Sequence, residues 1–177
     1  MPSLENAAKR VQQGDIQAFE DIVQQTSAQL VRVAARVVGD VAEAEDVVQE
    51  SYINAYNALT QGQFDNRAHV LTWLRRIVVN RAIDAIRSRR RRPRLDDSKI
   101  EPGWDGAVST ESRLALLEMA DWMNGLVPEQ RAALVLSVFE GLSNSEIADT
   151  MGCSEGAVEQ RLVRARVALR QRSQNNG

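Results

Sequence analysis

Apolar residues recur along this chain at three- and four-residue spacing, in blocks separated by glycine, proline and capping residues. That is the period of amphipathic helices, and no stretch alternates with the period of a half-buried strand. Residues 4 to 13 make a first short helix ended by Gly14. Asp15 stands as N-cap of a second, whose apolar stripe is Ile16, Phe19, Ile22, Val23, Leu30, Val33, Ala34 and Val37, closed by Gly39. Asp40 opens a third, with Glu43 three residues on in capping-box register. It buries Val41, Ala44, Val47, Val48 and Ile53, followed by Ala55, Tyr56 and Leu59. The stretch QGQFDN, 61–66, reads as a loop. Phe64 in it is either a staple onto the next helix or an exposed functional aromatic. The next helix is expected to begin near Arg67, with Leu74, Ile77, Val78, Ala82, Ile83 and Ile86 inward.

The helical pattern stops at Pro93 and resumes at Ser112. The intervening stretch carries Pro93, Pro102, Gly103 and Gly106, several acids and an isolated Trp104, the composition of a linker. Beyond it, Leu114, Leu117, Ala120 and Met123 mark a helix ended by Gly125. Pro128 suits the first position of the next, whose core positions are Leu134, Val135, Val138 and Phe139, with Gly141 as its cap. The expected fold is all-α. Two small helical domains, 1–92 and 112–177, are joined by a flexible acidic linker over 93–111.

The last third holds a helix-turn-helix. Ser143 to Glu146 is a capping box opening a short helix with Ile147 and Ala148 inward. Met151-Gly152-Cys153 makes the turn, and Ser154 caps a second helix that buries Val158, Leu162, Ala165 and Leu169. In this arrangement the start of the second helix enters the major groove. Gly156, Glu159, Gln160 and Val163 then face bases, with Ser154 and Arg164 at phosphates. Glutamate accepts from cytosine and glutamine pairs with adenine at two points, so Glu159 and Gln160 suit base reading. Arg161 and Arg166 lie nearer the core edge.

Charge changes the picture through its distribution. The net charge is −2, which argues against binding DNA by bulk attraction alone. Yet Trp73 to Arg94 holds nine arginines against one acid, Asp84, and the stretch after it is acidic. The helix within that basic stretch presents Arg76, Asn80, Arg81, Asp84 and Arg87 on its polar face. Arginine neutralises phosphate and amide side chains read base edges, so the face suits a polynucleotide. Equally, it could be a solvated helix with a basic tail. Earlier in the chain Glu43, Glu45, Asp46, Gln49 and Glu50 crowd one helix face. Helix-dipole stabilisation accounts for part of that cluster and a partner surface for the rest.

Other classes lack material. One cysteine, Cys153, and one histidine, His69, leave nothing for a disulfide, a metal cluster or thiol catalysis. Glu45 and Asp46 are adjacent on a helix and diverge, which does not suit acid–base chemistry. No apolar run approaches the length of a membrane span, and residues 1–15 lack the apolar core of a signal peptide. A cytoplasmic protein without metal or cofactor, not an enzyme and not inserted in a membrane, is expected.

Three motifs in order, AEDVVQESYINAYNAL, TWLRRIVVNRAIDAIRSRRRRPR and LVPEQRAALVLSVFEGLSNSEIADTMGCSEGAVEQRLVRARVAL, resemble bacterial RNA polymerase sigma factors of the extracytoplasmic-function (ECF) group. The resemblance spans nearly the whole chain. It implies that Glu45, Asp46, Gln49 and Glu50 dock on core polymerase at its clamp helices. It implies that Phe64, Asn66, Trp73, Arg76, Asn80, Arg81, Asp84, Arg87, Arg90 and Arg91 meet the minus-ten element, the loop at 61–69 capturing a flipped base. Ser154, Gly156, Glu159, Gln160, Val163 and Arg164 match the minus-thirty-five reader, in a domain that also binds the polymerase flap. The acidic linker matches the segment that threads the polymerase near the RNA exit path. A controlling anti-sigma factor and a role in stress response are implied as well. The chain departs from the family at Glu159-Gln160, where a basic residue and a small polar one are common, and at Val70, where an aromatic is common. Two other readings of the residues are a stand-alone helix-turn-helix regulator dimerising on a palindrome, and a helical protein-interaction adaptor.

Overall fold

The computed structural model describes residues 2–65, 68–91 and 119–175. Among them every regular element is helical: α1 Leu4–Gln12, α2 Ala18–Val38, α3 Val41–Thr60, α4 Val70–Arg91, α5 (residues 119–124), α6 Pro128–Val138, α7 Asn144–Met151 and α8 Glu155–Asn175. The linker expected over 93–111, with Trp104, lies outside the described residues, as do Leu114 and Leu117.

Caps set most boundaries. The Ser3 hydroxyl accepts from the Asn6 amide at α1, and the Asp40 carboxylate accepts from the Glu43 amide at 2.7 Å at α3. Glu43 does not complete a reciprocal box; its carboxylate takes Arg89 Nη1 of α4 instead, at 2.5 Å. Gly39 ends α2 with φ of 89°, a left-handed conformation that glycine adopts without the clash a Cβ brings. Two starts differ from expectation. Asp15 accepts from the Ala18 amide, so it caps a turn, and α2 begins at Ala18, two residues after the Ile16 that opens its stripe. α4 begins at Val70, with His69 accepting from the Trp73 amide at its head.

α2 lies at the centre of the first four helices, packed against α1, α3 and α4. Leu30, Val33, Ala34 and Val37 of α2 meet a core that also takes Val47, Ala55 and Leu59 of α3 and Leu74, Val78 and Ile86 of α4. A polar pair sits within it: the Thr26 hydroxyl is bonded to the Ile22 carbonyl and the Tyr52 hydroxyl, both at 2.7 Å. Burial pushes the Tyr52 phenol up from its ordinary pKa. Phe19 closes this region with edge-on contacts to Tyr52 and Tyr56. In the second group α6, α7 and α8 pack mutually around Leu136, Ile147, Val158, Leu162 and Ala165. The two groups also touch, α6 on α2 and α4, and α7 on α4.

Five expected core positions stand at the surface. Ile16 is 64% exposed because it lies in the turn before α2, where helical periodicity does not apply. Ile53 is 57% exposed: Ser51, Tyr52 and Ala55 face inward, and Ile53 falls on the opposite side of α3. Val41, Val138 and Phe139 sit at helix ends where the backbone turns away from the core. Phe139 is covered in part by the Arg36 guanidinium, 4.8 Å from its ring centroid. Conversely, Arg75 and Arg131 are 7% and 4% exposed, although a guanidinium is ordinarily a surface group.

Candidate nucleic-acid and polymerase interfaces

The first surface is on α3. Glu45, Asp46, Gln49 and Glu50 are all exposed, and Ile53 continues the same surface as an exposed apolar residue. Their spacing puts Asp46, Gln49, Glu50 and Ile53 along one stripe, since residues three and four apart are neighbours on a helix. Glu50 is ion-paired with Arg81 of α4. Two residues assigned by resemblance to different partners are therefore paired with each other. Exposed pairs of this kind contribute about 0–1 kcal/mol, so either member can be drawn to another charge.

The second surface is the outer face of α4. Arg76, Asn80, Asp84 and Arg87 stand exposed at helical spacing, while Leu74, Val78, Ile83 and Ile86 hold the opposite side in the core. Arg87 donates to the Asp84 carboxylate at 3.2 Å and is bonded to Glu129 of α6, whose negative charge raises the basicity of the guanidinium further. Arg90 donates to the carbonyls of Asn124 and Leu126, each at 2.8 Å. Arg91 is exposed at the helix end. Arg89 turns the other way: it bonds Glu43 and the Val38 carbonyl, tying α4 to the α2–α3 corner.

The loop before α4 resolves one open alternative. Phe64 is 4% exposed, stacks on Trp73 with ring centroids 4.6 Å apart, and its carbonyl accepts from Gln12 Nε2 at 2.9 Å. It is the staple. Its ring does not face outward; it packs on half-buried Trp73 of α4. Asn66 lies outside the described residues.

The third surface is the helix-turn-helix. Ser143 and Glu146 form the expected capping box, and the hydrogen bonds from Ser143 hold the Glu146 carboxyl below its ordinary pKa. Gly152 makes the turn at φ of 63°, and the Ser154 hydroxyl accepts from the Ala157 amide to start α8. Val158, Leu162 and Ala165 anchor α8, leaving Ser154, Gly156, Glu159, Gln160, Val163 and Arg164 exposed together. Arg166, Val167 and Arg170 extend this exposed surface, so Arg166 is not a core-edge residue. Cys153 is half-buried, with Arg161 Nη1 2.9 Å from its sulfur.

Sequence periodicity misses what lies between α4 and α7. Arg75 Nε and Thr150 Oγ1 are buried without a hydrogen-bond partner. The Arg76 guanidinium lies against Gly152, so that a Cβ added there would stand 2.7 Å from its Nη2. An unpaired buried polar group costs about 1–3 kcal/mol, so this contact is held less firmly than either core.

An all-helical protein that pairs a helix-turn-helix with a second, arginine- and asparagine-bearing helix face and an acidic surface is built to join DNA and protein partners. The sequence matches the family described as ECF sigma factor over residues 2–175, and the chain belongs to that family. It is 36% identical over 173 residues to the RNA polymerase sigma-H factor of Pseudomonas aeruginosa, covering 91% of this chain and 89% of that one. With the ECF sigma factor SigW of Bacillus subtilis it shares 32% identity over 176 residues, 92% of each chain. The solved structure of CnrH in complex with the cytosolic domain of CnrY matches with a TM-score of 0.68 at 28% identity, covering 97% of each chain. The sigma factor RpoE of Bartonella quintana, solved with the anti-sigma factor NepR, shares the fold at a TM-score of 0.67 and 24% identity, covering 90% of this chain and 98% of that one.

The chain is thus a non-enzymatic transcription initiation factor that directs core RNA polymerase to promoters. No helix among the described residues is long and apolar enough to cross a membrane.

Proposed function

We propose that residues 1–92 and 112–177 are two domains that divide promoter recognition, the first docking on core polymerase and reading the minus-ten element, the second reading the minus-thirty-five element. The observation that carries this division is the coexistence of two separate exposed polar faces, Asn80 to Arg87 on α4 and Ser154 to Arg164 on α8, each backed by its own buried stripe. Glu45, Asp46, Gln49 and Glu50, with Ile53 beside them, form the clamp-helix docking surface. Arg76, Asn80, Asp84 and Arg87 read and hold the opened minus-ten strand, with Arg81, Arg90 and Arg91 at phosphates. Phe64 and Trp73 shape the capture loop that Asn66 completes. The domain holding α6 to α8 also meets the flap. Control by an anti-sigma factor in a stress response, in the cytoplasm, completes the reading; the solved RpoE neighbour was captured with such a partner.

Asn80→Ala tests the first half. The exposed amide carries no part of the core, so the variant keeps native stability and core affinity. A base-reading hydrogen-bonding side chain is worth about 1–3 kcal/mol, so open-complex formation falls roughly tenfold or more. A loss of core affinity instead would place Asn80 on the polymerase surface. Gly156→Ala tests the second half. A Cβ there meets nothing within 4 Å in the free protein, and alanine favours a helix over glycine by up to about 1 kcal/mol. The variant is therefore at least as stable as the native chain, yet its added methyl stands on the DNA-facing side. Affinity for minus-thirty-five duplex, measured by holoenzyme footprinting, is expected to drop about tenfold. Unchanged footprints would remove Gly156 from the interface.

A further inference from the structure

Among the residues that the start of α8 presents to solvent, Glu159 is the odd one. Val158, Leu162 and Ala165 are buried, so Gly156, Glu159, Gln160 and Val163 project from the other side of the helix. The Glu159 carboxylate has no hydrogen bond or ion pair among the described residues. Its neighbours at helical contact spacing are Glu155, Gly156, Leu162 and Val163, none of them a cation. Arg161, two positions on, turns its Nη1 to the Cys153 sulfur at 2.9 Å. The carboxylate therefore keeps its full acceptor capacity for whatever α8 meets. Gly156 brings that meeting close: nothing lies within 4 Å of where its Cβ would stand, so backbone can approach a base edge there. Val163, 52% exposed, offers only methyl groups, which leaves hydrogen bonding on this face to Glu159 and Gln160.

We propose that Glu159 sets the orientation of one base pair in the upstream element by rejection, admitting cytosine or adenine on the strand it faces and excluding guanine and thymine. This rests on the assignment of α8 to the minus-thirty-five element. In the major groove each base pair carries one amino group, on its cytosine or its adenine, and only acceptors on the other base. An ionised carboxylate only accepts, so it can bond cytosine N4 or adenine N6. Cytosine is the better of the two, because adenine N7 sets an acceptor beside its amino group. Facing guanine O6 and N7, or thymine O4, the carboxylate meets lone pairs while stripped of water, and a desolvated charge without a donor is heavily penalised. Gln160 differs, since its amide holds both a donor and an acceptor. The two adjacent residues have unequal tasks: Gln160 adds affinity on the right base, and Glu159 removes affinity on the wrong one.

The same charge also faces phosphates, so Glu159 weakens binding to every duplex by a part that does not depend on sequence. A residue that specifies by rejection has a signature. Removing it tightens binding, and tightens it most on the duplexes that were refused. A residue that only supported the helix would show the reverse, weaker binding on all of them.

The test uses holoenzyme with the full chain on a promoter from which it initiates, with each base pair of the upstream element inverted in turn and affinity read by footprint titration. Glu159→Ala and Glu159→Gln are compared with the native chain. Glu159 is exposed and glutamine keeps its shape, so the fold is retained. The charge control is Asp149→Asn, exposed on α7, the helix that crosses the backbone instead of entering the groove. With the native chain, inversion at one position should cost about tenfold. Both Glu159 variants should abolish most of that cost by binding the inverted duplex more tightly, while inversions elsewhere keep their native cost. Asp149→Asn should shift all duplexes by one common factor and keep every inversion cost. Glu159 variants that keep every inversion cost, or that bind all duplexes more weakly, would overturn the proposal. Failure of the α8 assignment itself shows separately, as native footprints on every duplex with Gln160→Ala and Arg164→Ala holoenzymes.

Discussion

Reversing two charges on the acidic surface, Glu45→Arg with Asp46→Arg, is expected to lower the affinity for core polymerase by about a hundredfold while leaving the fold intact. Both side chains are exposed on α3, one turn in from its Asp40 cap. The inward residues of that turn, Ala44, Val47 and Val48, are untouched. Removing one partner of a close interfacial charge pair costs about 2–5 kcal/mol, and placing like charges together adds to the penalty. A factor of ten corresponds to about 1.4 kcal/mol, so two such changes reach a hundredfold on a low estimate. Titration of labelled chain with core enzyme gives the affinity, and thermal melting of the free chain reports the fold. Native affinity in a fully folded variant would move the docking surface off α3.

Leu30→Ala carries the largest expected loss of stability. Leu30 is completely buried in α2, the helix that α1, α3 and α4 all contact. Leucine-to-alanine changes at such sites cost about 2–5 kcal/mol, the transfer of the lost carbons plus the cavity they leave. Domains of ordinary size have about 5–15 kcal/mol in total, so the loss is a large share. Chemical denaturation should show a midpoint well below that of the native chain, with polymerase binding failing on warming. A change under about 1 kcal/mol would mean that the centre of the first four helices lies elsewhere.

How far the sequence discloses this molecule depends on whether a feature is local. The Asp40 and Ser143 caps, the Gly39 and Gly152 turns and the inward stripe of α4 arise from residues a few positions apart, and all form as their spacing predicts. Ile53 and Val138 are apolar residues that stand outside, the first on the side of α3 opposite its buried stripe and the second at the end of α6. Arg75 and Arg131 are the reverse case. A guanidinium is normally a surface group, and only contact between the two halves of the chain buries it. The polar faces of α4 and α8 were legible because exposure there follows from burial of the opposite stripe. That Glu50 meets Arg81, and Arg87 meets Glu129, was not, since each pair joins residues more than thirty positions apart. Phe64 shows the middle ground: its two readings were both open in sequence, and its contact with Trp73 decides for the staple.

The most direct measurement is run-off transcription by core RNA polymerase with this chain on a random promoter library. Selective initiation is predicted, with recovered promoters sharing two elements spaced as the minus-ten and minus-thirty-five sequences. Gln160→Ala should relax selection at the upstream element and Asn80→Ala should lower opening at the downstream one. Initiation no more selective than that of core enzyme alone would contradict the assignment.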